Sequence, residues 1–338
     1  SKDMVVMDFK RGQFGRVQRV LKGFKVEEKI TSNILSLMQK GKIKVAWLQG
    51  DGELSILKHA ASVKEELDNY NYEIKEISSL KGLSGNDNQL KFKITPKNKP
   101  KSKEDDFLMK ADILVIAGPR KTIPAPMIEK IKSFLSQGKH LVLLTDPQGS
   151  NIKFGLEDLL EKEYGVILNN SYVIDTENGY QRPTFIRVNY TGSPITKSFQ
   201  RQNLGMVLFD ANFMELKIQK GKDGKDINQY ERVLEAFQTA GFVNNLKNIK
   251  TMEQLIARIN KSKKNMTMAA ISENKKNRSK VLVVSDSTFI AGQYATLGAN
   301  KDFFVNALNY LAEVKAPLSI TKKPEKIEPI RVSIGAQR

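Results

Sequence analysis

Lys44-Val45-Ala46-Trp47-Leu48-Gln49 runs straight into Gly50-Asp51-Gly52-Glu53. A short, mostly apolar strand-like run stops abruptly at a Gly/Asp turn, and helix-like sequence follows. The same figure recurs as Asp112–Ala117 into Gly118-Pro119-Arg120, as His140–Thr145 into Asp146-Pro147, and as Lys280–Ser285 into Asp286-Ser287. Continuous apolar runs of this length read as strands buried on both faces, which is what a parallel sheet requires. Their alternation with helical periodicity implies βαβ units. The expected fold is α/β, a mostly parallel, doubly wound sheet. Such sheets take ligands in the crevice beyond the carboxyl ends of their strands.

Around these runs the chain divides by pattern. Residues 1–25 read as a basic N-terminal arm with a strand. Residues 26–165 form the first part of the α/β layer, with helices expected over 27–39, about 53–69, 124–137 and 156–164, and further strands at 73–78 and 90–94. Pro- and Lys-rich Thr95–Asp106 reads as a loop. From 166 to 280 the runs become short and alternating, a β-rich α+β insertion with helical stretches near 230–239 and 251–261 and a loop tip at Gly221–Gly224. Residues 281–315 return to the layer with its last strand and helix, and 316–338 form a tail with three prolines.

Composition narrows the function. In 338 residues, 55 Lys and Arg stand against 37 Asp and Glu, a net charge of +18. The basic residues are scattered, and no basic stretch carries interleaved aromatics, so nucleic acid is not an expected partner. An anionic membrane surface remains an expected attraction. The absence of cysteine removes disulfides, thiolate nucleophiles and Cys-ligated metals. Neither a Walker A sequence nor a full dinucleotide fingerprint occurs. No cofactor and no metal are expected. No apolar run approaches the roughly 18 residues of a membrane span.

The carboxyl-edge loops supply the candidate site residues: Gly50, Asp51, Gly52, Glu53, Gly118, Arg120, Lys121, Asp146, Gln148, Asp286 and Ser287. Backbone N–H groups and acidic side chains at Gly50–Glu53 could hold an ion, although tight-turn and helix-start chemistry explains the same residues. Asp146 and Asp286 could form a carboxylate pair, or could simply cap turns. Arg120 and Lys121 could draw an anionic ligand or partner. Ser150 and Ser287 are the hydroxyls nearest a strand-to-helix elbow, but the only imidazoles are His59, expected within a helix, and His140, at the entry end of its strand. A nucleophile needs a base within hydrogen-bond reach, so no catalytic set is expected.

The ordered blocks carry a resemblance. Ala111–Pro119, Pro124, Phe134-Leu135 and Gly138–Pro147 resemble the GldG-like, gliding-motility-associated auxiliary components of ABC transporters. Glu28–Leu37, Tyr190–Leu216 with Ser193-Pro194-Ile195-Thr196, Val283–Phe289 and Asn300–Ala312 agree in order. Asp51 and Ser193 stand where that family usually has histidine. The resemblance implies a class I amidotransferase-like or flavodoxin-like α/β fold. It also implies a place on the extracytoplasmic (periplasmic) face of the cytoplasmic membrane, anchored by transmembrane segments outside residues 1–338. Its implied partners are the permease and ATPase subunits of a transporter. The favoured expectation is a non-enzymatic interaction or ligand-binding domain; the alternatives are a hydrolase of amidotransferase-like ancestry and a polyanion-binding protein.

Overall fold

The computed structural model describes residues 5–11, 17–24, 41–79, 103–148 and 153–314. In chain order the elements are β1 (Val5–Arg11), β2 (Val17–Phe24), β3 (Ile43–Gln49), α1 (Ala61–Asn69), β4 (Tyr72–Ser78), α2 (Lys103–Lys110), β5 (Ile113–Ala117), α3 (Ala125–Ser136) and β6 (His140–Leu144). They continue with α4 (Glu157–Tyr164), β7 (Val166–Asn169), β8 (Tyr172–Ile174), β9 (Phe185–Tyr190), α5 (Lys197–Gln202), β10 (Val207–Phe209), β11 (Phe213–Leu216) and β12 (Asn228–Ala236). The last are β13 (Gly241–Val243), α6 (Met252–Ser262), β14 (Thr267–Asn274), β15 (Lys280–Val284) and α7 (Asn300–Leu311).

Four parallel pairings order the centre of the main sheet as β4-β3-β5-β6-β15. Numbered among themselves, these strands run 2-1-3-4-5, one of the two common doubly wound orders. The apolar runs are buried on both faces, as the sequence requires. Val45 and Trp47 of β3, with Val142 and Leu144 of β6, join one core, and Ala46, Leu48, Leu141 and Leu143 join the other. Helices α1 and α7 cover the first face through Val63, Leu67, Phe303 and Phe304. Helices α2, α3 and α4 cover the second through Leu108, Ile131, Phe134 and Leu160. Each fully buried side chain of this size contributes roughly 1.5–3 kcal/mol. The one tryptophan is fully buried, and its Nε1–H donates to Leu54 O at 2.7 Å.

The segment 166–280 adds its strands to the same sheet. β14 pairs antiparallel with β15, and β12, β9 and β10 follow outward, while β11 joins β14 to β7. The result is one 11-stranded sheet with a parallel centre and an antiparallel extension. β8 and β13 form a separate ribbon under α6, closed by Ile174, Val243 and Ile259. β1 and β2 pair antiparallel, so the N-terminal strand is one of two.

Three expectations give way. The helix expected from Glu53 begins at Ala61, because Glu53 is spent on the preceding turn, where its Oε2 accepts from the Asp51 N–H at 2.7 Å. Residues 230–239 are not helical: β12 lies between β14 and β9. Ladder bonds on both edges and the buried Val233 and Leu234 outweigh a charge-rich composition. Within the expected loop 95–106, residues from Lys103 onward are helical in α2. The helix expected over 27–39, the strand over 90–94, Gly149, Ser150 and the tail 316–338 lie outside the described residues. Among the described residues, no helix is long and apolar enough to cross a membrane.

Candidate functional site

Because β3, β5, β6 and β15 are parallel, the loops after them share one edge, and backbone bonds tie each loop to the next. The N–H groups of Arg120 and Lys121 donate to Asp51 O at 2.9 and 3.0 Å, and Leu54 N–H donates to Ala117 O at 2.8 Å. Gly118 N–H reaches Leu144 O, and Thr145 N–H reaches Val284 O, each at 2.8 Å. All eleven residues singled out in the sequence therefore lie along one edge, spread over adjoining loops.

Their chemistry divides into three parts. At the β3 end, Asp51 and Glu53 are 3% and 7% exposed, and Asp51 Oδ2 and Glu53 Oε1 meet no hydrogen-bond donor. Burial pushes the Glu53 carboxyl upward, and the neighbouring Asp51 charge adds to the shift. Gly52 (φ +91°) leaves space that Arg120 fills, since a β-carbon there would stand 2.9 Å from Arg120 Cβ. The Arg120 and Lys121 side chains are exposed.

In the middle, Asp146 and Asp286 serve as acceptors. Asp146 receives the Ser287 N–H at 2.7 Å and the Ser287 hydroxyl at 2.6 Å. Asp286 is fully buried and receives the N–H groups of Phe209, Thr288 and Phe289 at 2.8, 2.6 and 3.1 Å. Burial raises its carboxyl well above the usual range, and the Asp146 charge raises it further. The pair thus pins β10 and the turn after β15 to the end of β6.

At the far side, a cavity of about 270 Å³ opens between the ends of β6 and β7 and the start of β11. Asp146 and Gln148 line it. Gln148 N–H donates to Asn170 Oδ1 at 2.6 Å, Asn170 Nδ2 returns a bond to Gln148 O at 2.7 Å, and Gln148 Nε2 donates to Pro119 O. Thr145, Asn169, Asn170, Asn212 and Phe154 also line it, and sequence reasoning missed them. The Asn169-Asn170 pair closing a short alternating run was the one local signal. Asn212 reaches the edge only because β11 is drawn in beside β14, with Asn212 N–H donating to Ser285 O at 2.9 Å.

Among the described residues, no imidazole comes within reach of a hydroxyl at this edge. His59 sits in the turn before α1, not within a helix, and its Nδ1 accepts from the Ser55 N–H at 2.9 Å. His140 opens β6 at the opposite edge, where its Nδ1 accepts from the Lys280 N–H at 3.1 Å. Ser193 follows β9, 3% exposed, with its hydroxyl unpartnered. No group of three or more His, Cys, Asp or Glu able to hold a metal ion occurs among the described residues.

Fold and edge together define a doubly wound α/β domain whose ligand-side loops are built and cross-braced. Over residues 42–197 the chain matches the ABC_transp_aux family, described as an ABC-type uncharacterized transport system. The resemblance read from the sequence is borne out there: over these residues the chain is similar to auxiliary components of ABC-type transport systems. Among solved structures the chain is similar to the mmIFT52 N-terminal domain, 18% identical with a TM-score of 0.55, over 79% of this chain and 96% of that one. It is also similar to a putative ThuA-like protein from Bacteroides uniformis, 12% identical with a TM-score of 0.45, over 83% and 97% of the two chains. At these identities the likeness to the first is one of fold. No curated protein matches the chain.

Proposed function

We propose that the chain is a non-enzymatic interaction domain of an ABC-transporter accessory protein of the gliding-motility type, held at the extracytoplasmic face of the cytoplasmic membrane. Its partners are the permease and ATPase subunits, with an anionic membrane surface as a second attraction for a chain of net charge +18. The strand order 2-1-3-4-5 supports the amidotransferase-like or flavodoxin-like reading of its core. One observation carries the non-enzymatic reading. The hydroxyl at the best-placed elbow, Ser287, is 1% exposed and donates to Asp146, while both imidazoles are committed elsewhere.

The contact surface is the carboxyl edge, where Arg120 and Lys121 project from a rigidly held loop. The rival surface is the antiparallel extension. Its strand β9 pairs with β10 through Phe185–Arg187 and with β12 through Val188–Tyr190, which leaves β10 as the strand at the end of the sheet; exposed side chains such as Arg187 also present themselves there. Co-purification of the accessory protein with its transporter tests the assignment. Arg120→Glu with Lys121→Glu is expected to release the complex, and Arg187→Glu to leave it intact. The reverse pattern moves the contact to the extension, and capture unaffected by either set overturns the carboxyl-edge reading.

A further inference from the structure

We propose that the cavity between β6, β7 and β11 binds a small uncharged polyhydroxylated molecule, one sugar ring in size. The inference rests on reading the carboxyl edge as a contact site and does not depend on which transporter subunit is captured.

The walls set the ligand's charge. Asp146 and Glu157 both line the cavity, so an anion would meet two carboxylates. Lys153 lines it too, so a cation drawn to the carboxylates would meet an ammonium group. Asn212 is 3% exposed, and its Oδ1 shares the Thr145 hydroxyl with Val284 O, at 3.3 Å each. Asn169 Oδ1 shares the Ser171 hydroxyl with Asn244 Oδ1, at 2.6 and 2.8 Å. Each hydroxyl has one proton for two acceptors, so both asparagine amides keep donor and acceptor capacity for the cavity, and the Lys153 side chain stands exposed at the same wall. Glu157 is already engaged, with its two oxygens accepting from the N–H groups of Phe154 and Gly155 at 2.8 Å each. Asp146 keeps lone pairs beyond its two bonds to Ser287. The site therefore offers amide donors on one side and a carboxylate acceptor on another. A hydroxyl donates and accepts through one atom, so a ring carrying several hydroxyls answers both walls without a net charge.

The remaining lining is apolar. Phe154, Leu168 and Pro119 complete the cavity and can cover the C–H faces of a ring. Apolar walls with a few placed polar groups are what small-molecule sites present. A volume of about 270 Å³ equals about nine water molecules at their ~30 Å³ share of the liquid. That accommodates one six-membered ring with its substituents, and not a chain of them.

The test titrates the purified protein with glucose, galactose, N-acetylglucosamine and myo-inositol, and reads the side-chain NH₂ resonances of Asn169 and Asn212. Glucose 6-phosphate and inorganic phosphate serve as charged probes. At least one neutral probe is expected to give saturable shifts at both amides, weakened about tenfold by Asn169→Ala, as loss of one hydrogen bond implies. Asn212→Ala should do the same, and half-buried Asn169 keeps the test open if the buried variant misfolds. No saturable shift with any neutral probe at tens of millimolar overturns the proposal, as does binding that survives Asn169→Ala or that the phosphates match. Arg120 and Lys121 do not line this cavity, so charge reversal there can abolish transporter capture and leave this titration unchanged.

Discussion

Ser287 gives Asp146 two hydrogen bonds, its N–H to Oδ1 at 2.7 Å and its hydroxyl to Oδ2 at 2.6 Å. This clamp joins the turn after β15 to the turn after β6. Asp146→Ala leaves both donors without their acceptor in a protected site, and is expected to cost about 1–3 kcal/mol. Ser287→Ala removes one donor and is expected to cost less, about 0.5–1.5 kcal/mol. Denaturant melts of the two variants check the order. Asp146→Asn should also lower the Asp286 carboxyl, because the Asp146 charge is the second cause, after burial, of its upward shift. An unchanged Asp286 titration by NMR would refute that coupling.

Gly118 faces the same clamp. Its φ is +68°, and a β-carbon built there would stand 2.5 Å from Ser287 Oγ and 2.8 Å from Asp146 Oδ2. Gly118→Ala therefore adds backbone strain to a collision with groups that are themselves pinned. The expected loss is about 2 kcal/mol or more. Gly205 has ordinary φ and nothing within 4 Å of its virtual β-carbon, so Gly205→Ala should stay within about 0.5 kcal/mol of the parent. Equal melting of the two variants would remove the steric argument.

The parallel centre was legible because β3, β5, β6 and β15 must be apolar on both faces. A run such as Ile113–Ala117 has no amphipathic period to confuse with a helix. The carboxyl-edge residues followed from that placement alone. What escaped was set by long-range pairing. Tyr230–Ala236, rich in Glu and Arg, becomes a strand because β14 and β9 supply partners on both sides. The cavity escaped for the same reason: Asn212 meets Thr145 across 67 positions of chain, and no local spacing announces that contact. The roles of Asp146 and Asp286 could not be assigned from sequence either, since a cap and a reactive carboxylate look alike until their donors are seen.

His140 links stability to pH. Burial, with the Lys280 charge next, lowers its imidazole from 6.5 to about 4. The folded state then stays neutral there while the unfolded chain takes up a proton, so stability is full above about pH 6.5 and falls as pH drops toward 4. The slope is at most about 1.4 kcal/mol per pH unit, less whatever solvent contact this half-buried ring retains. Glu53 and Asp286, shifted upward by burial, act in the opposite sense, so the diagnostic quantity is a difference. His140→Asn, which keeps an acceptor near the Lys280 N–H, should flatten the fall between pH 6.5 and 4. Parallel stability curves for parent and variant would show that His140 does not titrate as its burial demands.

The last expectation concerns chemistry. The purified chain should hydrolyse neither ATP nor amide nor ester substrates. ATP hydrolysis lacks a phosphate-cradling loop in the sequence. Acyl transfer needs a nucleophile with a base within reach and an accessible face for the substrate. Ser287 is 1% exposed and its proton points at Asp146. A carboxylate so placed could in principle take that proton, but Gly118 packs against the hydroxyl from the strand side, at a distance that admits no β-carbon. His59 and His140 are held by the backbone N–H groups of Ser55 and Lys280, away from this edge. Prolonged incubation with ATP, glutamine and p-nitrophenyl acetate should give only background release. Turnover abolished by Ser287→Ala or Ser150→Ala, with folding intact by circular dichroism, would instead make the clamp a catalytic pair at rest and return the chain to the hydrolases.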